Sequence, residues 1–149
     1  MPFRFSLQAV LRCRESFEHR ERQRLQMITR EVVKTQQQRD GAKLDRTHAL
    51  DQLQKRLHLG MTVVEMQFEL ACDRARIRRI AALNDQFTKL GNLRRRQLEV
   101  FRKAQQQRQV LENLRDRQLA AYQLVQNRRE QQQMDDRFLL TRAGQLSRS

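Results

Sequence analysis

Proline, glycine and tryptophan are scarce in this chain. Its 149 residues include one proline, four glycines and no tryptophan, and only 5% of them are aromatic. Because proline and glycine form turns and interrupt helices, their scarcity excludes a fold built from many short elements. The common residues are instead glutamine, arginine, glutamate and leucine, which lose little side-chain freedom in a helix. The composition therefore predicts long helices.

The sequence also lacks the motifs of enzymes and metal sites. Cys13 and Cys72 show no C-x-x-C spacing, and the three histidines do not group with them into a metal-binding pattern. A phosphate-binding glycine loop, a nucleophile elbow and a dinucleotide fingerprint are all missing. We therefore expect no enzymatic activity, no catalytic residue, no metal and no cofactor.

Long apolar runs are missing as well. No stretch approaches the roughly 18 consecutive apolar residues of a membrane-spanning helix. The beginning of the chain does not contain the uninterrupted apolar core of a signal peptide. We expect a soluble, cytoplasmic protein.

Basic residues are abundant. The formal net charge is +14, from 31 basic and 17 acidic residues, and arginine binds carboxylates and phosphates equally well. The densest basic runs are "DRARIRR" at 73–79 and "LRRRQ" at 93–97, but no nucleic-acid-binding motif accompanies them. We expect no nucleic-acid partner, and a basic coiled coil that binds nucleic acid stays the alternative interpretation.

Apolar residues recur at steps of three and four, which is typical of a helix that packs against another helix. In the first half the pattern runs through Leu25, Ile28, Val32 and Thr35, and it resumes in a shifted phase at Leu50, Leu53 and Leu57. In the second half polar residues such as Arg94 and Arg108 interrupt it. The residues of that second pattern are Ile77, Ile80, Phe87, Leu90, Leu98, Phe101, Leu111, Leu114, Ala121 and Val125.

The stretch "HLGMTVVE" predicts a turn between two helices. Gly60 suits the left-handed conformation that ends a helix, and Thr62 with Glu65 matches the capping box that begins one. A single continuous helix is the alternative, since Gly41 and Gly91 must be tolerated inside helices in any case. At the N-terminus, Ser6 is the expected cap of the first helix.

The predicted fold is all-α: two long antiparallel helices that form a coiled-coil hairpin, with helix 2 longer than helix 1. We expect a single domain over 1–149, with helix 1 at about 7–58, a turn at 59–62, helix 2 at about 63–138 and a frayed polar tail at 139–149.

The unequal helix lengths predict that part of helix 2 has no helix beside it. In such a hairpin, residue i is level with roughly position 122 minus i, so 117–138 extends about 33 Å beyond helix 1. This overhang contains Leu119, Tyr122, Leu124 and Val125, and an exposed apolar face typically binds another protein. The alternatives are that Phe3 and Phe5 fold across it or that the chain dimerises there.

Two stretches resemble the flagellar FliJ family, whose members are small cytoplasmic components of the bacterial flagellar type III secretion apparatus. The stretch "FRFSLQAVLRCRE" at 3–15 is similar to the family's N-terminal F-x-F-x-L-x-x-V-L pattern. The stretch "LRDRQLAAYQLVQNRREQQQMDD" at 114–136 resembles its C-terminal pattern. The F-x-F pattern favours the flagellar branch over the stalk of a virulence-type secretion system.

The resemblance implies a non-enzymatic stalk whose end with both termini inserts into a hexameric export ATPase and promotes its assembly and activity. It also implies contact with the membrane-embedded export gate, recycling of export chaperones, and peripheral association with the inner membrane. Carried onto this sequence, the ATPase-facing residues are Phe3, Phe5, Leu7, Leu11, Asp116, Arg117, Gln118, Ala121, Leu124, Asn127 and Arg128.

Overall fold

The computed structural model describes residues 2–148, which form two α-helices and no strand. Helix α1 spans Gln8–Leu59 and helix α2 spans Val63–Ser147, with 52 and 85 residues respectively. The helices run antiparallel and pack against each other, so the predicted fold class and the greater length of the second helix are confirmed. Over the described residues, neither helix is long and apolar enough to cross a membrane.

The turn between the helices forms where the sequence predicts it. Gly60 has a φ of 98°, the left-handed conformation that ends a helix at little cost only for glycine. The hydroxyl of Thr62 accepts a hydrogen bond from the Glu65 N–H at 3.2 Å, and its carbonyl accepts one from the Met66 N–H at 3.0 Å. Thr62 is therefore the N-cap of α2.

The beginning of α1 differs from the expected one. The carbonyl of Leu7 accepts a hydrogen bond from the Leu11 N–H at 2.9 Å, which places Leu7 at the capping position that we expected for Ser6. The carbonyl of Phe5 accepts a hydrogen bond from the Gln8 N–H at 3.1 Å. Backbone hydrogen bonds thus close the first turn.

The end of α2 also differs from the expected one. We expected the helix to end near Phe138, but α2 continues to Ser147. No proline occurs in 139–147, and Gly144 is tolerated as a single helical glycine. The Thr141 hydroxyl donates back to the Arg137 carbonyl at 2.8 Å, as in an ordinary helical turn. The expected frayed tail is therefore helical as far as Ser147.

The described chain divides into two compact units. A terminal unit contains the chain up to Glu18 and from Ala104 onward, and a central unit contains His19–Lys103. Helix α1 contacts helix α2 within each unit. The assignment of the whole chain to a single domain stays a prediction.

In the central unit the contact between the helices keeps one phase along α1. Val32 and Thr35 are buried, and the same heptad positions continue through Arg39 and Arg46. The Arg39 guanidinium lies 4.4 Å from the centroid of the Phe87 ring. The phase shift expected at Leu50, Leu53 and Leu57 is wrong, because half-buried Leu53 lies on the unshifted heptad positions while the other two leucines are exposed. Leu50 and Leu57 are 38% and 44% exposed.

Charged pairs replace apolar layers along this contact. Arg46 donates two hydrogen bonds to the Asp73 carboxylate, at 2.9 and 3.2 Å. The hydrogen bond from Arg46 lowers the pKa of Asp73, and the same bond raises the pKa of Arg46. Gln97 donates to buried Glu21. The bidentate Arg46–Asp73 pair adds geometric specificity to the register of the two helices.

Candidate partner-binding site

The chain before α1 lies against α2 in the terminal unit. The rings of Phe3 and Tyr122 lie 5.6 Å apart between centroids, tilted by 48°. Phe5 is only 8% exposed, and both phenylalanines line a surface groove together with Arg115 and Leu119 of α2. The N-terminal phenylalanines thus cover the first part of the overhang, the alternative left open by the sequence.

A small core anchors this N-terminal segment. Leu11 is fully buried and Ala104 is 1% exposed. Buried Glu18 accepts a hydrogen bond from Arg108, which also donates to Glu112 at 2.6 Å. The hydrogen bond to Glu18 is the main reason that the pKa of Arg108 is raised. The burial of Leu11 and the Glu18–Arg108 ion pair together hold the beginning of α1 against α2, while Glu112 lies on α2 beside Arg108.

Beyond the N-terminal segment, α2 continues uncovered. Every residue from 127 to 148 is exposed. The large apolar residues of this uncovered stretch include Phe138, Leu139 and Leu140, which are 65%, 60% and 73% exposed. The sequence reasoning missed Leu139 and Leu140 because it treated 139–149 as a frayed tail.

One face of the overhang carries a regular pattern, which we call the outer stripe. Its members recur at alternating steps of four and three residues, so they lie in one line along the helix. Leu119 and Tyr122, which face the N-terminal segment, lie about 180° around α2 from this line at 100° per residue. The outer stripe consists of Arg117, Ala121, Leu124, Arg128, Gln131, Asp135, Phe138 and Arg142.

The sequence-predicted site residues near the N-terminus, three before α1 and one in its first turns, differ in exposure. Phe3 and Leu7 are half-buried, whereas Phe5 and Leu11 are buried. The two buried side chains therefore have little surface to offer a partner. Their contacts instead determine where the N-terminal segment lies on α2.

The predicted site residues of α2 are all exposed. Four of them, Arg117, Ala121, Leu124 and Arg128, belong to the outer stripe. The other three flank the stripe at 116, 118 and 127. The structure thus brings both predicted groups into one unit, and their contact with an ATPase stays a prediction.

The arrangement suits recognition of another protein. The outer stripe alternates apolar side chains, such as Leu124 at 53% exposure, with arginines and an aspartate. Mixed apolar and arginine surfaces are typical of protein interfaces, where the apolar residues supply affinity and the charges supply orientation.

Three comparisons with known proteins give one match. A search of curated proteins and a search of solved structures each found no match to this chain. A scan against family models matches residues 3–145 to the family described as "Flagellar FliJ protein". This match includes the N-terminal segment, the turn and the outer stripe, and the flagellar branch of the resemblance is confirmed. The chain belongs to the flagellar FliJ protein family, and this membership indicates a component of the flagellar export apparatus.

Proposed function

We propose that this chain is a non-enzymatic cytoplasmic stalk of the flagellar type III export apparatus, which inserts into the hexameric export ATPase and promotes its assembly and activity. The observation that carries the proposal is the exposed outer stripe. It lies in the unit that contains both family-like stretches and the N-terminal segment. The inserting end comprises the stripe and this segment.

The residues of this end have different roles in the proposal. Ala121 and Leu124 supply the apolar contact with the ring, since buried apolar anchors contribute most of the affinity of a protein interface. Arg117 and Arg128 speed the encounter with acidic or carbonyl-lined surfaces. Buried Phe5 acts indirectly by holding the N-terminal segment on α2.

The proposal includes two further partners that the family suggests. The chain contacts the export gate, a membrane protein, and this contact gives it a peripheral position at the inner membrane. It also escorts and recycles export chaperones. We assign no residues to these contacts, because no motif in the chain points to them.

The decisive experiment measures stimulation of the cognate flagellar export ATPase. Leu124→Asp places a charge on the outer stripe without removing a buried contact, because Leu124 is 53% exposed. We expect the concentration of this variant that gives half-maximal stimulation to be about ten times that of the wild type or higher, as for loss of an apolar anchor. Circular dichroism checks that the variant remains helical.

Leu93→Asp is the matched control. Leu93 also lies on α2, is 45% exposed and belongs to the central unit. We expect stimulation at the wild-type level. Equal stimulation by the two variants would contradict the assignment of the stripe. Binding to plain duplex DNA with a steep salt dependence, without any stimulation, would instead favour the nucleic-acid interpretation.

A further inference from the structure

The outer stripe has similar chemistry in both directions from Gln131. Arg128 precedes the centre and Asp135 follows it at nearly equal separation, so opposite charges flank the glutamine. Leu124 and Phe138 lie seven residues before and after Gln131, so an apolar residue follows each charge. An outer stripe with this pattern is therefore complementary to the same stripe on a helix that runs in the opposite direction.

We propose that the outer stripe binds the outer stripe of a second copy of this chain, with the two α2 helices antiparallel and related by a two-fold axis at Gln131. In this register Arg128 lies opposite Asp135 of the second copy, and Leu124 lies opposite Phe138 of the second copy. Each contact occurs twice because the interface is isologous.

The charges select this orientation. In a parallel pair, Arg128 would lie opposite Arg128 of the second copy and Asp135 opposite Asp135 of the second copy, which places like charges together at both of these layers. The antiparallel pair instead matches Arg128 with the Asp135 carboxylate of the second copy. Val125 and Leu139 flank the apolar layers and are 45% and 60% exposed, so they widen the contact.

The structure leaves this face accessible. The outer stripe lies on the side of α2 away from Tyr122, which contacts Phe3. Arg128, Gln131, Gln132 and Asp135 surround one surface depression at the centre of the stripe, which offers room for side chains of a second helix. Within the described residues, Arg128 and Asp135 are both exposed and neither forms an ion pair.

The helices are long enough for the pairing. The contact between 117 and 145 extends along about 42 Å of helix at 1.5 Å per residue. In this register Ser147, the last residue of α2, is level with about position 115 of the second copy. The second copy therefore lies on the uncovered face and leaves the N-terminal segment in place.

This pairing does not rest on the proposed function. It uses Leu124 and Arg128, however, which the proposed function assigns to the ATPase contact. The two binding events would compete for one surface, so self-pairing would keep the apolar stripe covered until the ATPase is present.

Charge reversal tests the pairing. Sedimentation equilibrium of the full chain from about 1 to about 100 μM should show a monomer–dimer equilibrium for the wild type. Arg128→Asp alone, or Asp135→Arg alone, places two like-charge contacts in each dimer. We expect each to raise the dissociation constant about tenfold. The double variant Arg128→Asp/Asp135→Arg should recover the wild-type value.

Mixing gives a second, sharper result. The two single variants are complementary to each other in the antiparallel register, so an equimolar mixture should form mixed dimers although neither variant dimerises well alone. Arg129→Asp is the matched control, because Arg129 is the neighbouring arginine and lies off the stripe. It should dimerise like the wild type.

The proposal is overturned if the wild type is monomeric over this range, or if the double variant fails to recover dimerisation. Either failure would leave the proposed function intact, because that function is measured by ATPase stimulation.

Discussion

Two faces of α2 in the terminal unit carry similar residues and differ in what covers them. On the covered face, Arg108 pairs with buried Glu18, and Leu11 of α1 is fully buried. On the outer stripe, Arg128, Asp135 and Leu124 are all exposed. Contacts between helices in this chain therefore include charged residues. The charged residues of the outer stripe are compatible with a helix contact there.

The difference also shows where stability and binding arise. Covered residues contribute to folding because they leave water when the chain folds. Residues of the outer stripe remain in water, so their substitution should change binding while leaving folding nearly unchanged. Matched substitutions on the two faces test this division.

The largest expected effect is from Leu11→Ala. Removing a fully buried leucine leaves a cavity and should lower the free energy of unfolding by about 2–5 kcal/mol. Leu124→Ala makes the same chemical change on the outer stripe and should cost less than about 0.5 kcal/mol. Urea unfolding followed by circular dichroism at low protein concentration measures both. Equal effects would contradict the division between the two faces.

The next effect is from Glu18→Ala. This substitution removes the buried acceptor of Arg108 and leaves that guanidinium with Glu112 alone. We expect a loss of about 1.5–3 kcal/mol of unfolding free energy, the usual contribution of a hydrogen bond between charged groups. Asp135→Ala is the control on the outer stripe and should be close to neutral at low concentration. A neutral Glu18→Ala would show that the pair does not stabilise the fold.

A smaller effect is expected from Phe3→Ala. The chain contains one tyrosine and no tryptophan, so its intrinsic fluorescence reports on Tyr122. Loss of the ring contact should expose Tyr122, change its emission and cost about 1 kcal/mol. Phe138→Ala, at an exposed position of α2, should leave the emission unchanged. Identical spectra for Phe3→Ala and the wild type would argue against this contact.

The smallest effect concerns pH. Because Arg46 lowers the pKa of Asp73 in the folded state, the pair stabilises the fold above the usual aspartate pKa. That contribution is lost as the pH falls through the lowered pKa. As the pH falls, the free energy of unfolding should decrease less steeply in Asp73→Asn than in the wild type. It should also decrease less steeply in Arg46→Gln, because this substitution removes the partner of the same carboxylate. Acid titrations of the three chains that superimpose would exclude this contribution.

The main elements of the fold were predictable because their signals are local. Gly60, Thr62 and Glu65 specify the turn through backbone conformation and capping, which depend on few neighbours. The phase of α1 after Thr35 was not predictable from apolar residues alone. Arg39 and Arg46 occupy inner positions there through contacts with Phe87 and Asp73, which are distant in sequence.

The candidate site was predictable in part. The unequal helix lengths and the two family-like stretches identified Leu124 and its neighbours. The sequence did not reveal how far the N-terminal segment covers α2, because the Phe3–Tyr122 contact joins residues more than a hundred positions apart. It also missed the C-terminal part of the outer stripe. Arg142 aligns with Leu124 only when the helix continues past its expected end near Phe138.

The central claim is that the outer stripe is a partner-binding surface. Its most direct test is whether a partner protects the cysteine of a Leu124→Cys variant from maleimide labelling. In a Cys13→Ser/Cys72→Ser background, both native free thiols are removed. The maleimide labelling rate is then measured at low concentration, with and without the cognate export ATPase, beside Leu93→Cys as the control. We predict that the ATPase slows labelling at position 124 and leaves position 93 unchanged. Unchanged labelling at position 124, under conditions where the ATPase is stimulated, would contradict the claim.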